Sequence, residues 1–280
     1  MTAVFQVGDA RITRIPELHW DNADPKRLYP EIDAETLATF GPSLTRGSFD
    51  AATGRLAQGT HAWLVQLPDI TLLIDTATGN DKPLPDAPAL DHLHTPFLDR
   101  LAAAGVRPEQ IDAVLHTHIH ADHVGWNTRL YDGKWLPTFP KARHIYSAIE
   151  ARYGAANDGI DPAPDLPPDV LGSPDHRPLP RVYTDSMLPV IEAGLGQAIR
   201  IDGREVPAGF SFHPTPGHSL DHAPIRLRSQ RAEALFTGVV MHHPLQVSSP
   251  ALRHAFFEFF QYHHPSARLR LAQAASNGTP

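Results

Sequence analysis

The most constraining stretch of this chain is Leu115-His116-Thr117-His118-Ile119-His120-Ala121-Asp122-His123-Val124-Gly125. Four histidines and one aspartate fall within eight residues, directly after the apolar run Ala113-Val114-Leu115. That density of polar donors is too high for an ordinary packed core, where each buried imidazole or carboxylate needs a partner. The apolar run reads as the end of a buried strand, so the polar stretch begins where that strand reaches its mouth. On extended chain the side-chain direction repeats every two residues, which sends His118 and His120 to one side. Asp122 and His123 then fall in a turn opening a helix. Neutral imidazole and carboxylate are the donors that suit zinc and related transition metals, whereas calcium and magnesium take mostly oxygen. A His-rich surface loop would explain a lone His-x-His; the full order His-x-His-x-Asp-His after an apolar strand favours a built site.

Thr117 to His123 resembles the signature of the metallo-β-lactamase superfamily. The resemblance implies that His118 and His120 help hold a first metal, and Asp122 and His123 a second. Pro214-Thr215-Pro216-Gly217-His218-Ser219-Leu220-Asp221-His222 resembles the Thr-Pro-Gly-His element of the same family, which implies His218 as the third ligand of the first site and leaves His222 outside it. Asp75-Thr76-Ala77-Thr78-Gly79 resembles the family's Asp-Thr-Gly strand end, where the aspartate supports a metal-binding imidazole from behind. An ordinary strand-ending cap explains Asp75 equally well.

Two features depart from the family pattern. Leu235-Phe236-Thr237-Gly238-Val239 resembles the strand on which binuclear members carry a bridging aspartate after Thr-Gly, and here Val239 occupies that place. The late histidine of the family has no clear counterpart either. His263 and His264 follow the Phe-rich run Ala255 to Phe260 without strand-like context, and His242 and His243 read as pocket-wall or surface residues.

Composition narrows the class. The 280 residues are 41% hydrophobic, enough for a packed core, and no run of about 18 apolar residues marks a membrane span. Met1 to Asp9 lacks the basic and apolar segments of a secretory signal, so a cytoplasmic location is expected and β-lactam hydrolysis is not. The absence of cysteine excludes thiolate ligands, leaving His and carboxylates for any metal. A net charge of -7 with no basic block argues against nucleic acid as partner.

Along the chain, Val4 to Val7 and Arg11 to Ile15 predict a hairpin around Gly8-Asp9, and His61 to Leu67 and Ile70 to Asp75 an antiparallel pair about Pro68-Asp69. Thr95-Pro96 opens a helix that stops at Gly105, followed by the strand Ile111 to Leu115. Arg143 to Tyr146 predicts a strand, and Ser147-Ala148-Ile149-Glu150 a capping box starting a helix. Residues 158–180 are too rich in proline for regular structure and read as a long loop. Thr184 to Gly194 is helical in pattern, interrupted by Pro189. Strands are expected at Ala198 to Ile201, Gly209 to His213, Ile225 to Arg228 and Ala234 to Met241. Without a linker, all 280 residues read as one domain.

The resemblance implies an α/β fold, a four-layer αβ/βα sandwich of the metallo-β-lactamase type. The expected activity is hydrolysis of an ester, lactone or related bond of a small-molecule substrate by a zinc-activated water. One zinc is expected at His118, His120 and His218, and a second, at Asp122 and His123, is expected to be weak or absent. Asp122 is the expected catalytic carboxylate. The alternatives are a metal-depleted, non-catalytic relative that binds a ligand or partner and, after it, a mononuclear iron oxygenase.

Overall fold

The computed structural model describes residues 3–41, 44, 47–161, 179–206, 209–249 and 252. Most of the proline-rich stretch (162–178), the run Ala255 to Phe260, and His263 and His264 lie outside them. No helix among the described residues is long and apolar enough to cross a membrane.

Strands β1 (Val4–Val7) and β2 (Ala10–Pro16) form the expected hairpin, turning through Gly8 at φ +55°. Strand β3 (Trp20–Ala23), helices α1 (Pro25–Leu28) and α2 (Ala34–Phe40), and strands β4 (Phe49–Asp50) and β5 (Arg55–Gln58) then build a small satellite. Asp24 and Asp33 start its two helices by accepting backbone N–H groups of Lys26 and Thr36. Strands β6 (His61–Leu67) and β7 (Ile70–Ile74) pair antiparallel about Pro68-Asp69. Helix α3 (Phe97–Ala103) places Pro96 at its N-cap, one position earlier than expected, with Gly105 in the left-handed region after its end.

Strand β8 (Ala113–Leu115) is shorter than expected because Pro108–Gln110 closes a 3-10 turn ahead of it. Helix α4 (Ala121–Val124) is a single turn capped by His120, and β9 (Thr128–Tyr131) and β10 (Lys134–Pro137) form a hairpin. Strand β11 (Arg143–Ser147) leads into α5 (Ala148–Asn157). A π-helical turn (Tyr183–Met187) runs into α6 (Leu188–Glu192), so Pro189 falls in that helix's first turn, where its missing N–H costs nothing. Strands β12 (Gly196–Ile199), β13 (Glu205–Val206), β14 (Phe210–Phe212), β15 (Ile225–Ser229) and β16 (Ala232–Phe236), and helix α7 (Leu245–Ser248), complete the described elements.

Seven strands join in the order β1-β2-β6-β7-β8-β11-β12, antiparallel as far as β7 and parallel from β7 to β12. A second, antiparallel sheet has the order β13-β14-β15-β16. Alternation along the strands sorts the core into layers. Val65, Leu72, Ile74, Ala113 and Leu115 meet Phe210, Phe212, Ile225 and Leu227 between the sheets. Their neighbours Leu64, Leu73 and Val114 face the other way, against Phe97 and Leu101 of α3. Helix on sheet on sheet is the αβ/β part of the four-layer αβ/βα sandwich. The mouths of the parallel strands β8 and β11 open at one edge, and every loop considered below issues there.

Two local expectations are corrected. The strand expected at Ala234 to Met241 ends at Phe236, because Gly238 turns the chain at φ +54° and lies close against Thr117 and His222. The capping box at Ser147 is half formed. Ser147 Oγ accepts the N–H groups of Ile149 and Glu150, but the Glu150 carboxylate is engaged elsewhere, by Ser219 and Asp221.

Candidate metal centre

His118 and His120 leave the mouth of β8 on the chain between Leu115 and α4, and His218 arrives from the loop between β14 and β15. All three are buried. His218 Nε2 lies 3.0 Å from His120 Nδ1 and 3.1 Å from His118 Nε2. Among the described residues, this is the one group of three or more metal-donor side chains whose donor atoms lie within 4.8 Å of one another. A tetrahedral zinc held at its usual Zn–N distances sets its ligand nitrogens roughly 3.3 Å apart. The spacing therefore fits one such ion. Burial holds His120 at about 4 and His118 well below its ordinary value, with neighbouring imidazoles adding to the effect at His118, so both offer neutral nitrogen lone pairs.

Asp75 supports this cluster from behind. Its Oδ1 accepts the Thr117 N–H, and its Oδ2 accepts both the Thr117 hydroxyl and His123 Nδ1–H, all at 2.8 Å. The Thr117 hydroxyl in turn meets His118 Nδ1 at 3.0 Å, which leaves Nε2 of that ring facing the other imidazoles. Asp75 itself sits at φ +54°, a conformation aspartate tolerates better than most residues. The backbone after it packs directly on the motif. Thr76 N–H donates to the His123 carbonyl, and Gly125 N–H to that of Ala77. A Cβ at Gly125 would fall on the Thr78 carbonyl, so the glycine that closes the motif is required by close approach.

His123 Nε2 faces Asp122 at 3.5 Å. Burial pulls its pKa down, but Asp122 and Asp75 outweigh that and raise it. The Asp122 side chain is 39% exposed at the mouth of the site. His118, His120, His218, Asp122 and His123 thus gather at one sheet edge, the first three as a compact group and the last two beside it.

The other histidines divide clearly. His116 belongs to the motif in sequence yet turns away and stacks on His144, because regular alternation ends with β8. His222 places Nδ1 against the Thr215 hydroxyl, while its Nε2 accepts the N–H of Val239. At the position of the expected bridge, then, the chain presents a backbone N–H to His222 and an apolar side chain. His243 bonds the Ser48 carbonyl and the Leu245 N–H, whereas the His242 ring stands edge-on to His218 at 5.2 Å. His242 is therefore a wall of the site.

Sequence reasoning missed the buried acids that hold the site's loops. Glu17 accepts the N–H groups of Thr78 and Gly79 and the indole N–H of Trp126, and also the Thr60 hydroxyl. Trp126 stacks on Phe97 behind the motif. Glu150 does comparable work on the other side. Their partners lie far away in sequence, so no local signal marked them.

The sequence model of a family described as the metallo-beta-lactamase superfamily matches residues 56–269. None of the curated proteins compared with the chain matches it. Among solved structures, the chain is similar to the hydrolase AbOPH of the beta lactamase superfamily, at 22% identity over 99% of this chain and 87% of that one, with a TM-score of 0.70. It is also similar to AidC, a dizinc quorum-quenching lactonase in complex with its product, at 16% identity, the same coverages and a TM-score of 0.70. A probable metal-dependent hydrolase from Staphylococcus aureus follows at 18% identity over 96% of this chain and 84% of that one, with a TM-score of 0.66. At these identities the likeness is one of fold.

Proposed function

This chain belongs to the metallo-beta-lactamase superfamily, and from that premise we propose that it is a zinc-dependent hydrolase of an ester, lactone or related bond in a small molecule. The observation that carries the reading is the convergence of His118, His120 and His218 on one point. His118, His120 and His218 would hold the zinc, which would supply Lewis acidity toward a water and toward the substrate carbonyl. The protein's part is to hold three neutral imidazoles in place through Asp75, Thr117 and the loop backbones, and to exclude bulk water from behind with Trp126 and Phe97. Asp122, half exposed beside the cluster, orients the attacking water, takes its proton and returns it to the leaving group. A lactone is the first substrate class to test, because one solved structure of this fold is that of a quorum-quenching lactonase; the bond cleaved is decided by the site and not by the fold.

Asp122 and His123 form a second, poorer position. Val239 brings no oxygen to it, and two donors fall short of what a tightly held divalent metal takes. One zinc per chain is the expected content. The same valine favours a second reading, in which the pocket has lost its metals and binds a ligand without turning it over. Metal analysis of protein purified without chelator, followed by assays on lactones, aryl esters and phosphotriesters, separates the two. Zinc near one equivalent with lactone turnover supports the hydrolase; protein that holds no metal, even after zinc is added, and turns over none of the panel overturns it.

A further inference from the structure

The two ligand-bearing loops are distant in sequence, His120 and His218 lying 98 positions apart. Both reach the first turn of α5. The buried Glu150 carboxylate there accepts the N–H of Ile119, between His118 and His120, at Oε2 (3.4 Å). Its Oε1 accepts the hydroxyl of Ser219, next to His218, at 2.6 Å, and the N–H of Asp221 at 2.7 Å. Ser147 Oγ, at the N-cap of the same helix, donates to Asp221 Oδ2 at 2.5 Å. We propose that Glu150 is a positioning residue of the metal centre, a clamp that sets the separation between the His118/His120 pair and His218. This rests on reading those three histidines as the metal ligands.

Physical chemistry favours a carboxylate in that role. Three donors from two directions need an acceptor-only group with two oxygens, and among side chains only an ionised carboxylate qualifies. Burial, with the charge of Asp221 adding to it, raises the Glu150 pKa on balance, and the bonds from Ser219, Asp221 and Ile119 oppose that rise by favouring the ionised form. Tethering both loops before metal arrives also removes conformational freedom that binding would otherwise have to freeze. The imidazole nitrogens that the two loops carry stand 3.0 and 3.1 Å apart, close to the spacing of ligands around one tetrahedral zinc.

Glu150→Gln is the test. An amide keeps one acceptor, so whichever way it turns its NH2 meets a backbone N–H and one loop is released. The measurement is the cobalt(II) dissociation constant by chelator competition, with the visible spectrum of the bound cobalt and the unfolding midpoint of metal-free protein. The clamp predicts cobalt binding about tenfold weaker, as for other supports of metal ligands, and a changed cobalt spectrum. Leu101→Ala, in the core under α3, serves as a control that lowers stability and leaves the cobalt constant unchanged. Equal affinity and an identical spectrum in Glu150→Gln overturn the clamp, as does an equal weakening in Leu101→Ala. Should Glu150→Gln fail to fold, Ser219→Ala deletes one bond and is expected to weaken cobalt about threefold; no change there overturns the proposal. An unmodified chain that binds no cobalt overturns the metal centre and the clamp together, whereas binding unaffected by these substitutions overturns the clamp alone.

Discussion

An Asp75→Asn substitution keeps the side chain's volume and one of its oxygens but changes which nitrogen of His123 carries the proton. The native carboxylate accepts three bonds of 2.8 Å, from the Thr117 N–H, the Thr117 hydroxyl and His123 Nδ1–H. In asparagine, the oxygen stays on the Thr117 N–H and the NH2 replaces Oδ2. His123 Nδ1 must then accept, which moves the ring proton to Nε2, the nitrogen that faces Asp122. Two bonds to a charged acceptor become bonds to a neutral amide, at a cost of about 2 kcal/mol in all. Asp75→Ala strands three buried donors and costs about 5 kcal/mol. With a midpoint change of roughly 2–4 °C per kcal/mol for a chain of this size, the metal-free protein should melt about 6 °C lower as the asparagine variant and about 15 °C lower as the alanine variant. Calorimetry measures the midpoints, and long-range nitrogen–proton NMR of labelled histidine reads the tautomer. An unprotonated Nε2 in Asp75→Asn would refute the reasoning, as would an alanine variant melting within a degree or two of the native protein.

His118→Ala or His218→Ala should abolish bound zinc and hydrolysis together; either variant retaining full activity would sink the mechanism. Val239→Asp restores a carboxylate to the bridging position and should raise metal content from about one toward two per chain, while two full equivalents in the unmodified protein, measured by metal analysis, would show that the ligand count is wrong. The buried His144 and His116, held at about 3 by burial, bind a proton far more readily in the unfolded chain than in the folded one. The sign is therefore that stability is full above the ordinary value of 6.5 and falls as pH drops toward about 3. His144→Phe should reduce the slope of metal-free stability against pH in that window by about 1.4 kcal/mol per pH unit, one proton's worth; an unchanged slope in denaturant titrations would count against a neutral buried His144.

What the sequence determined by itself was local. An apolar run followed by His-x-His-x-Asp-His marks a strand mouth and its donors, because alternation and donor chemistry act over a few residues. The hairpins at Gly8-Asp9 and Pro68-Asp69 and the helix after Thr95-Pro96 were legible for the same reason. Resemblance extended that reading to the fold class and pointed to His218 and Val239. Tertiary structure decided the rest. His116 shares the motif's chemistry, yet the end of β8 turns it onto His144. Glu150 looks like half a capping box, but two distant loops present better donors than its own helix does. Gly238 ends a strand that its apolar neighbours would have continued, since the chain there must pass close to Thr117 and His222. Each of these outcomes depends on which segments meet in space, and hydrogen-bond satisfaction and close packing are settled only between segments that have already met.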